Sequence, residues 1–315
     1  MRLLVLGGTR FVGRAVVDAA LAAGAEVTLF NRGQTAPALY PHLETVLGDR
    51  TADLSALTGR RFDVLIDCAG YEPTVVARSA HALTDAVDRY VFVSSVSVYA
   101  DQTTPPVEGA TLLDDDSYGG RKATCERVVL GHYGDRALIA RPGLIVGPHD
   151  PTERFAYWPR RFTRGGPVLA PGDPADPAQL IDVRDLAAWL VGAAATGVYN
   201  VVGRPLPMGE LLDACRTFAS SRAQLVWRST TDLLAAGVDP WMGVPLWIGD
   251  PAWCAANLVD GQRARAHGLT TRPLAQTVSD VAAWDLARGG PPGGREPLPP
   301  ADEERLLLAA MAGGT

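Results

Sequence analysis

RLLVLGGTRFVGRAVVDAALAAGAEVTLFNR, residues Arg2 to Arg32, decides the fold. Leu3 to Leu6 is a continuous apolar run, as a parallel strand covered on both faces requires, and Gly7-Gly8-Thr9 breaks it where the chain must turn tightly. Phe11, Val12, Ala15, Val16, Ala19, Ala20 and Ala23 then recur at helical spacing, and Gly24 supplies a stop. Val27 to Phe30 is apolar again, so the unit reads strand, helix, strand. Such a unit aims the free N–H groups of the helix N-terminus at an anion lying over the turn, which is how a dinucleotide pyrophosphate is held.

The glycine spacing is imperfect. Gly7 and Gly13 stand at the first and last glycines of a G-x-x-G-x-x-G turn, but Arg10 takes the middle position, with Thr9, Phe11 and Val12 completing the segment that faces the pyrophosphate. At the end of the second strand, where a carboxylate would bind the ribose 2'-hydroxyl of NAD, the chain has Asn31-Arg32. A guanidinium beside an amide suits a 2'-phosphate, and no acid is present to repel it. NADP is therefore the favoured coenzyme, with NAD as the alternative.

Across 315 residues, 47% hydrophobic and 20% charged, the chain has enough apolar material for a large core. The first strand starts at residue 2, with no basic n-region before it, and no apolar run approaches membrane-spanning length; a soluble, cytoplasmic protein is expected. Cys68, Cys125, Cys215 and Cys254 lack C-x-x-C spacing and read as ordinary buried thiols, and the five histidines form no cluster, so no metal is expected. A net charge of −6 argues against nucleic-acid binding. Arg160, Arg161 and Arg164, like Arg263 and Arg265, read as exposed helix faces. Of the 29 basic residues 28 are arginine, which leaves Lys122 as the single lysine. In such a chain a surviving lysine marks a place where a compact ammonium does what a guanidinium does not.

Further along, Leu43 to Leu47 reads as a third strand leading to Gly48-Asp49-Arg50, with Asp49 where an adenine ring would lie and Arg50 beside it as a coenzyme contact. Phe62 to Ile66 is a fourth strand ending in Asp67-Cys68-Ala69-Gly70, where Cys68, Ala69 and Gly70 are small enough for the coenzyme to pass close to the backbone. A helix over Val75–Val87, a strand over Tyr90–Val93, a helix over Tyr118–Leu130 and a strand over Ala137–Ala140 follow. This alternation predicts an α/β fold, a Rossmann-type doubly wound parallel sheet, with a smaller, mostly helical C-terminal substrate domain. Residues 1–150 plus about 180–203 would hold the dinucleotide, and about 151–179 plus 204–315 the substrate. Within 180–203, Ile181–Gly192 reads as a helix and Gly197–Val202 as a strand that returns the chain to the sheet. All seven tryptophans lie beyond residue 150; Trp241 and Trp247 are candidates to line the pocket. Gly289 to Pro300 reads as a flexible linker before a last helix over Ala301–Met311.

Tyr118-Gly119-Gly120-Arg121-Lys122 is Y-x-x-x-K. Residues four apart share one helix face, so the phenol and the ammonium project into the same space, and an ammonium favours the phenolate of a group whose pKa is ordinarily about 10. Together with the glycine turn, with Ser94-Ser95-Val96-Ser97-Val98-Tyr99, and with Arg141-Pro142-Gly143 followed by Gly147-Pro148, this motif resembles the short-chain dehydrogenase/reductases of the extended or atypical type, related to the NAD-dependent epimerase/dehydratase group. The resemblance implies that Ser95 binds the substrate oxygen, that Tyr118 exchanges the proton, and that Lys122 binds the nicotinamide ribose and lowers the tyrosine pKa. It also puts Pro142 and Gly143 against the coenzyme. Two departures narrow the substrate. Val96 and Ser97 replace the acid pair of sugar dehydratases, and Leu144 replaces the asparagine of nucleotide-sugar members.

The leading expectation is an NADP(H)-dependent oxidoreductase acting on a small carbonyl or secondary alcohol. The alternatives are an epimerase working through a transient ketone at bound NAD and a non-catalytic nucleotide- or RNA-binding member. The expected partner is a small-molecule substrate, with no nucleic acid and no membrane, for a monomer or homodimer.

Overall fold

Leu3, Leu4, Val5 and Leu6 each expose 1% of their surface or less. Removing side chains of this size from water stabilises by about 1.5–3 kcal/mol each, and that places the first strand at the centre of the molecule. In the computed structural model, which describes residues 1–312, the strands are β1 (Arg2–Leu6), β2 (Glu26–Asn31), β3 (Glu44–Leu47), β4 (Phe62–Asp67), β5 (Val87–Val93), β6 (Ala137–Pro142), β7 (Leu144–Val146), β8 (Pro167–Pro171), β9 (Pro177–Ala178), β10 (Leu180–Asp182), β11 (Gly197–Val201), β12 (Leu206–Pro207) and β13 (Gln224–Arg228). Seven of them form one parallel sheet in the order β11-β6-β5-β4-β1-β2-β3. The strand order reverses beside β1, so the carboxyl ends of β1 and β4 flank the crevice in which such sheets bind ligands.

The helices are α1 (Phe11–Ala22), α2 (Pro73–Leu83), α3 (Tyr118–Tyr133), α4 (Tyr157–Thr163), α5 (Val183–Gly192), α6 (Met208–Phe218), α7 (Thr230–Ala235), α8 (Gln262–Ala266), α9 (Leu274–Ala287) and α10 (Pro300–Ala312). Residues of α1 and α5 share one sheet-face core with Leu3, Val5 and Ile66; residues of α2 and α3 share the opposite one with Leu4, Leu6 and Leu65. A third core, around the wholly buried Trp158 and Phe162, joins α4, α6, α9 and α10 to β8. This is the α/β sheet flanked by helices, with a helical C-terminal portion, that the sequence predicts.

Several boundaries differ from expectation. The predicted helix over Val75–Val87 is α2, which begins at Pro73, whose fixed φ suits a first helical position, and ends at Leu83. Val87 instead opens β5 and pairs with Phe62. Ile181 belongs to β10, in register with Ile145 of β7, and Asp182 then caps α5 by accepting from the Arg184 amide at 2.9 Å.

The arginines of α4 are not an exposed face. Arg161 is buried and donates to Glu303 at 2.6 Å, and Arg160 donates to Glu296 at 2.8 Å and to Asp285. Within the stretch read as a flexible linker, Arg160 holds Glu296 and Leu298 is buried, so that part of it is packed down. Cys254 is exposed, unlike Cys125 and Cys215. No helix among the described residues is long and apolar enough to cross a membrane.

Candidate active site

The turn after β1 is built by close approach. Gly7 and Gly8 have φ of +108° and +93°, where side chains are strained, and a Cβ on Gly13 would stand 2.6 Å from the Gly8 nitrogen. The first turn of α1 therefore lies directly on the glycine loop. Arg10 occupies its N-cap without a side-chain cap, and no acid stands in that turn. The amides of Phe11, Val12 and Gly13, which no helical carbonyl satisfies, are the donors a pyrophosphate needs, and this cradle fits a dinucleotide. Thr9 is half-buried in the turn while the Arg10 side chain is exposed. Phe11 has φ +34°, unusual for a residue other than glycine.

At the end of β2 the Asn31 amide spans the turn: its Oδ1 accepts from the Gly33 N–H at 2.8 Å and its Nδ2 donates to the Gly7 carbonyl at 3.5 Å. Arg32 is exposed and makes no ion pair among the described residues. Asp49 accepts from the amide and hydroxyl of Thr51, at 2.9 and 2.7 Å. Arg50 departs from expectation. Its guanidinium turns inward, donating to Asp67 at 2.7 and 2.8 Å and to Ser79 at 3.2 Å, because the buried carboxylate at the end of β4 requires a counter-charge. Only its backbone is left for a coenzyme.

Cys68 and Ala69, half-buried, and Gly70, buried, continue from β4 alongside the glycine loop; a Cβ on Gly7 would meet Ala69 at 3.7 Å. Pro142, buried, ends β6 beside Val201, and Gly143 lies against Val202. Behind them Arg141 forms a buried pair with Glu126 of α3 at 2.6 Å, which ties the helix to the sheet.

Ser95, Tyr118 and Lys122 come together at the carboxyl end of β5. The Ser95 hydroxyl accepts from the Ser97 amide at 3.1 Å and donates to the Ser97 hydroxyl at 3.0 Å, fixing a single helical turn over Val96–Val98. Ser117 caps α3, so Tyr118 is its first residue, with 47% of its surface exposed. Lys122, one turn on, is 3% exposed. Its ammonium donates to the carbonyls of Gly70 and Val93, at 2.7 and 2.6 Å, and lies 4.3 Å from the Phe92 ring centre. Two of its three donors are thus used, leaving one for a ribose hydroxyl.

The expected lowering of Tyr118 by Lys122 is not found. Burial raises the phenol above its ordinary value, Tyr71 adds to the rise, and Ser95 opposes it. Lys122 itself is drawn down to about 8 by burial, which the Asp67 charge opposes.

Three features went unread in the sequence. Gly119 and Gly120 look like poor helix formers, yet a Cβ on either would collide with backbone, at 2.0 Å from the Ser97 carbonyl and 2.1 Å from the Asp115 carbonyl. Two glycines inside Y-x-x-x-K were the available signal. Asp67, closing an otherwise apolar strand, was another. Tyr71, with its ring centre 5.4 Å from the Lys122 ammonium, left no local pattern to find. Trp247 is buried and donates to Thr230, while Trp241 stacks edgewise on Trp253 at 5.4 Å. Among the described residues no group of His, Cys, Asp and Glu side chains is placed to hold a metal ion.

Known proteins resemble the chain in sequence and in fold. The chain is 27% identical over 225 residues to the chloroplast stem-loop binding protein of 41 kDa b of Arabidopsis thaliana, covering 64% of this chain and 58% of that protein. It is 31% identical over 231 residues to the 2'-dehydrokanamycin reductase of Streptomyces kanamyceticus, covering 68% of this chain and 65% of the relative; it thus spans less than two thirds of the length of either. The fold matches UDP-glucuronic acid 4-epimerase from Bacillus cereus, solved with UDP-glucuronic acid and NAD, with a TM-score of 0.68 at 15% identity, over 91% of this chain and 100% of that one. The model of the NAD dependent epimerase/dehydratase family matches residues 3–203, and the chain belongs to that family.

Proposed function

We propose that the protein is an NADP(H)-dependent oxidoreductase that moves a hydride to or from a small carbonyl or secondary alcohol. The observation that carries this reading is the meeting of Ser95, Tyr118 and Lys122 at the end of β5, beside the glycine turn. A nicotinamide coenzyme bound along Gly7–Gly13 and Cys68–Gly70 would supply or accept the hydride. The Ser95 hydroxyl orients the substrate oxygen. Tyr118, held protonated by its surroundings, is in the form that donates a proton to that oxygen during reduction. Lys122 offers its remaining N–H to the ribose.

NADP is favoured by Arg32, exposed beside Asn31 with no acid at the end of β2. Residues 1–150 with about 180–203 serve the coenzyme, and about 151–179 with 204–315 enclose the substrate. The reductase among the relatives supports this reading. The stem-loop-binding relative brings an RNA-binding reading, against which a net charge of −6 weighs. We place the protein in the cytoplasm, as a monomer or homodimer.

The test uses NADPH carrying deuterium at the transferring position and a panel of small ketones and aldehydes, read by mass spectrometry. A reductase delivers the label to the alcohol and oxidises the added coenzyme. Activity without added coenzyme, from NAD that survives dialysis, would instead favour the epimerase.

A further inference from the structure

Asp67 closes a strand whose preceding residues, Val64, Leu65 and Ile66, are apolar and buried, and it exposes none of its own surface. A carboxylate so placed is costly unless charge and hydrogen bonds surround it. Arg50 donates to it from both terminal nitrogens, at 2.7 and 2.8 Å, the Tyr90 hydroxyl donates at 2.7 Å and the Ala69 amide at 3.0 Å. The Arg50 Nε bonds Ser79, whose hydroxyl donates to the Val75 carbonyl of α2.

The cluster reaches the active site through the backbone it holds. The Ala69 amide is bonded to it, and Gly70 passes so close that a Cβ there would meet Asp67 Oδ2 at 3.1 Å. The Gly70 carbonyl is one of the two that Lys122 grips. Lys122 makes no ion pair among the described residues, and Glu126, which also acts on it, is paired with Arg141. The remaining titratable groups about it are the thiols of Cys68 and Cys125, both pushed up by burial, and the phenols of Tyr71 and Tyr118. Asp67 is thus the strongest negative charge acting on the ammonium, and Arg50 is what neutralises Asp67.

We propose that Arg50, Asp67 and Tyr90 form a positioning cluster for Lys122: they fix the Cys68–Gly70 backbone that the ammonium grips, and the Arg50–Asp67 pair sets the charge that the ammonium faces. The Arg50 side chain then serves the site without contacting the coenzyme. The inference builds on the reading of Lys122 as the residue that holds ribose and phenol, and a test that observes Lys122 itself separates the two.

Lys122 is the only lysine in the chain, so protein grown on lysine labelled with carbon-13 gives a single ε-carbon signal, and its NMR titration is the titration of this ammonium. The midpoint expected for the parent is about 8. Asp67→Asn leaves the Arg50 charge unbalanced and lowers the midpoint by about half a unit or more, whereas Arg50→Met exposes Lys122 to the bare carboxylate and raises it by a similar amount. Tyr90→Phe, which changes no charge, raises it by about 0.2–0.5 units and keeps the test in hand if a lone buried charge prevents folding. The double variant Arg50→Met/Asp67→Asn returns to the parent value. Opposite displacements are what a merely structural cluster does not produce. Midpoints unmoved in every variant that folds, or moved the same way by Asp67→Asn and Arg50→Met, overturn the proposal; the titration needs no substrate, so it stands or falls apart from the oxidoreductase reading.

Discussion

A methyl group on Gly119 would stand 2.0 Å from the carbonyl oxygen of Ser97, so the first turn of α3 and the loop carrying Ser95 touch backbone to backbone. That contact, rather than any side-chain bond, sets the spacing between the Tyr118 phenol and the Ser95 hydroxyl. Gly119→Ala must push the two elements apart. Displacement of a catalytic group by about 1 Å costs about 10²-fold in turnover, and a loss of that size is expected here with a lowered thermal midpoint. Coenzyme affinity, which depends on the glycine turn of α1, should change far less. Steady-state kinetics, calorimetry and thermal unfolding of the one variant distinguish these effects.

Lys122 and Tyr118 should fail differently. Lys122→Arg keeps a positive charge but puts a wide planar fork where a compact ammonium reaches two carbonyls, at 2.6 and 2.7 Å. Turnover should fall by orders of magnitude and coenzyme should bind more weakly. Tyr118→Phe should remove proton transfer alone, a loss of about 10²- to 10⁴-fold, with the coenzyme Kd nearly unchanged. In a chain that uses arginine at every other basic position, a Lys122→Arg protein as active as its parent would contradict the catalytic reading of Y-x-x-x-K.

The buried ammonium also gives the stability a pH dependence. Folding lowers the Lys122 pKa from an ordinary value near 10.5 to about 8. Between those values the unfolded chain binds more protons than the folded one, so this group's contribution to stability rises with pH. Below pH 8 both states are protonated and the contribution is flat at its least favourable. The difference in unfolding free energy between the parent and Lys122→Met should therefore be constant up to about pH 7 and should shift in favour of the parent from pH 8 to 10. Urea denaturation at unit steps of pH measures it. A difference independent of pH would mean that Lys122 is not held as its surroundings require.

What could be read in the chain follows the range of the forces involved. β1, β2 and β4 announce themselves because a strand covered on both faces must be apolar throughout, and Tyr118 and Lys122 because helical spacing is local. Ile181 reads as helical in the sequence because the three residues of β10 have no periodicity of their own; their strand is defined by pairing with Leu144–Val146, more than thirty residues earlier. Arg160 and Arg161 read as solvent-facing because their partners, Glu296 and Glu303, are 136 and 142 residues away. The inward turn of Arg50 has the same origin: seventeen residues separate it from Asp67, and only the parallel sheet brings them together. At the coenzyme turn, by contrast, Gly13 was legible because its reason for being glycine, the Gly8 backbone 2.6 Å from where its Cβ would be, lies five residues away.

Calorimetric titration of the parent protein and Arg32→Ala with NADPH and with NADH decides the proposed preference for NADP(H). Arg32 is exposed at the end of β2, free of any ion pair among the described residues, and a charge-assisted bond to a 2'-phosphate is worth about 1.5–3 kcal/mol, or roughly 10- to 100-fold in Kd. NADPH should bind tighter than NADH by about that factor in the parent, with most of the gap lost in Arg32→Ala while NADH affinity is unchanged. Equal affinities for the two coenzymes in the parent, or a preference for NADH, would overturn the assignment of NADP(H).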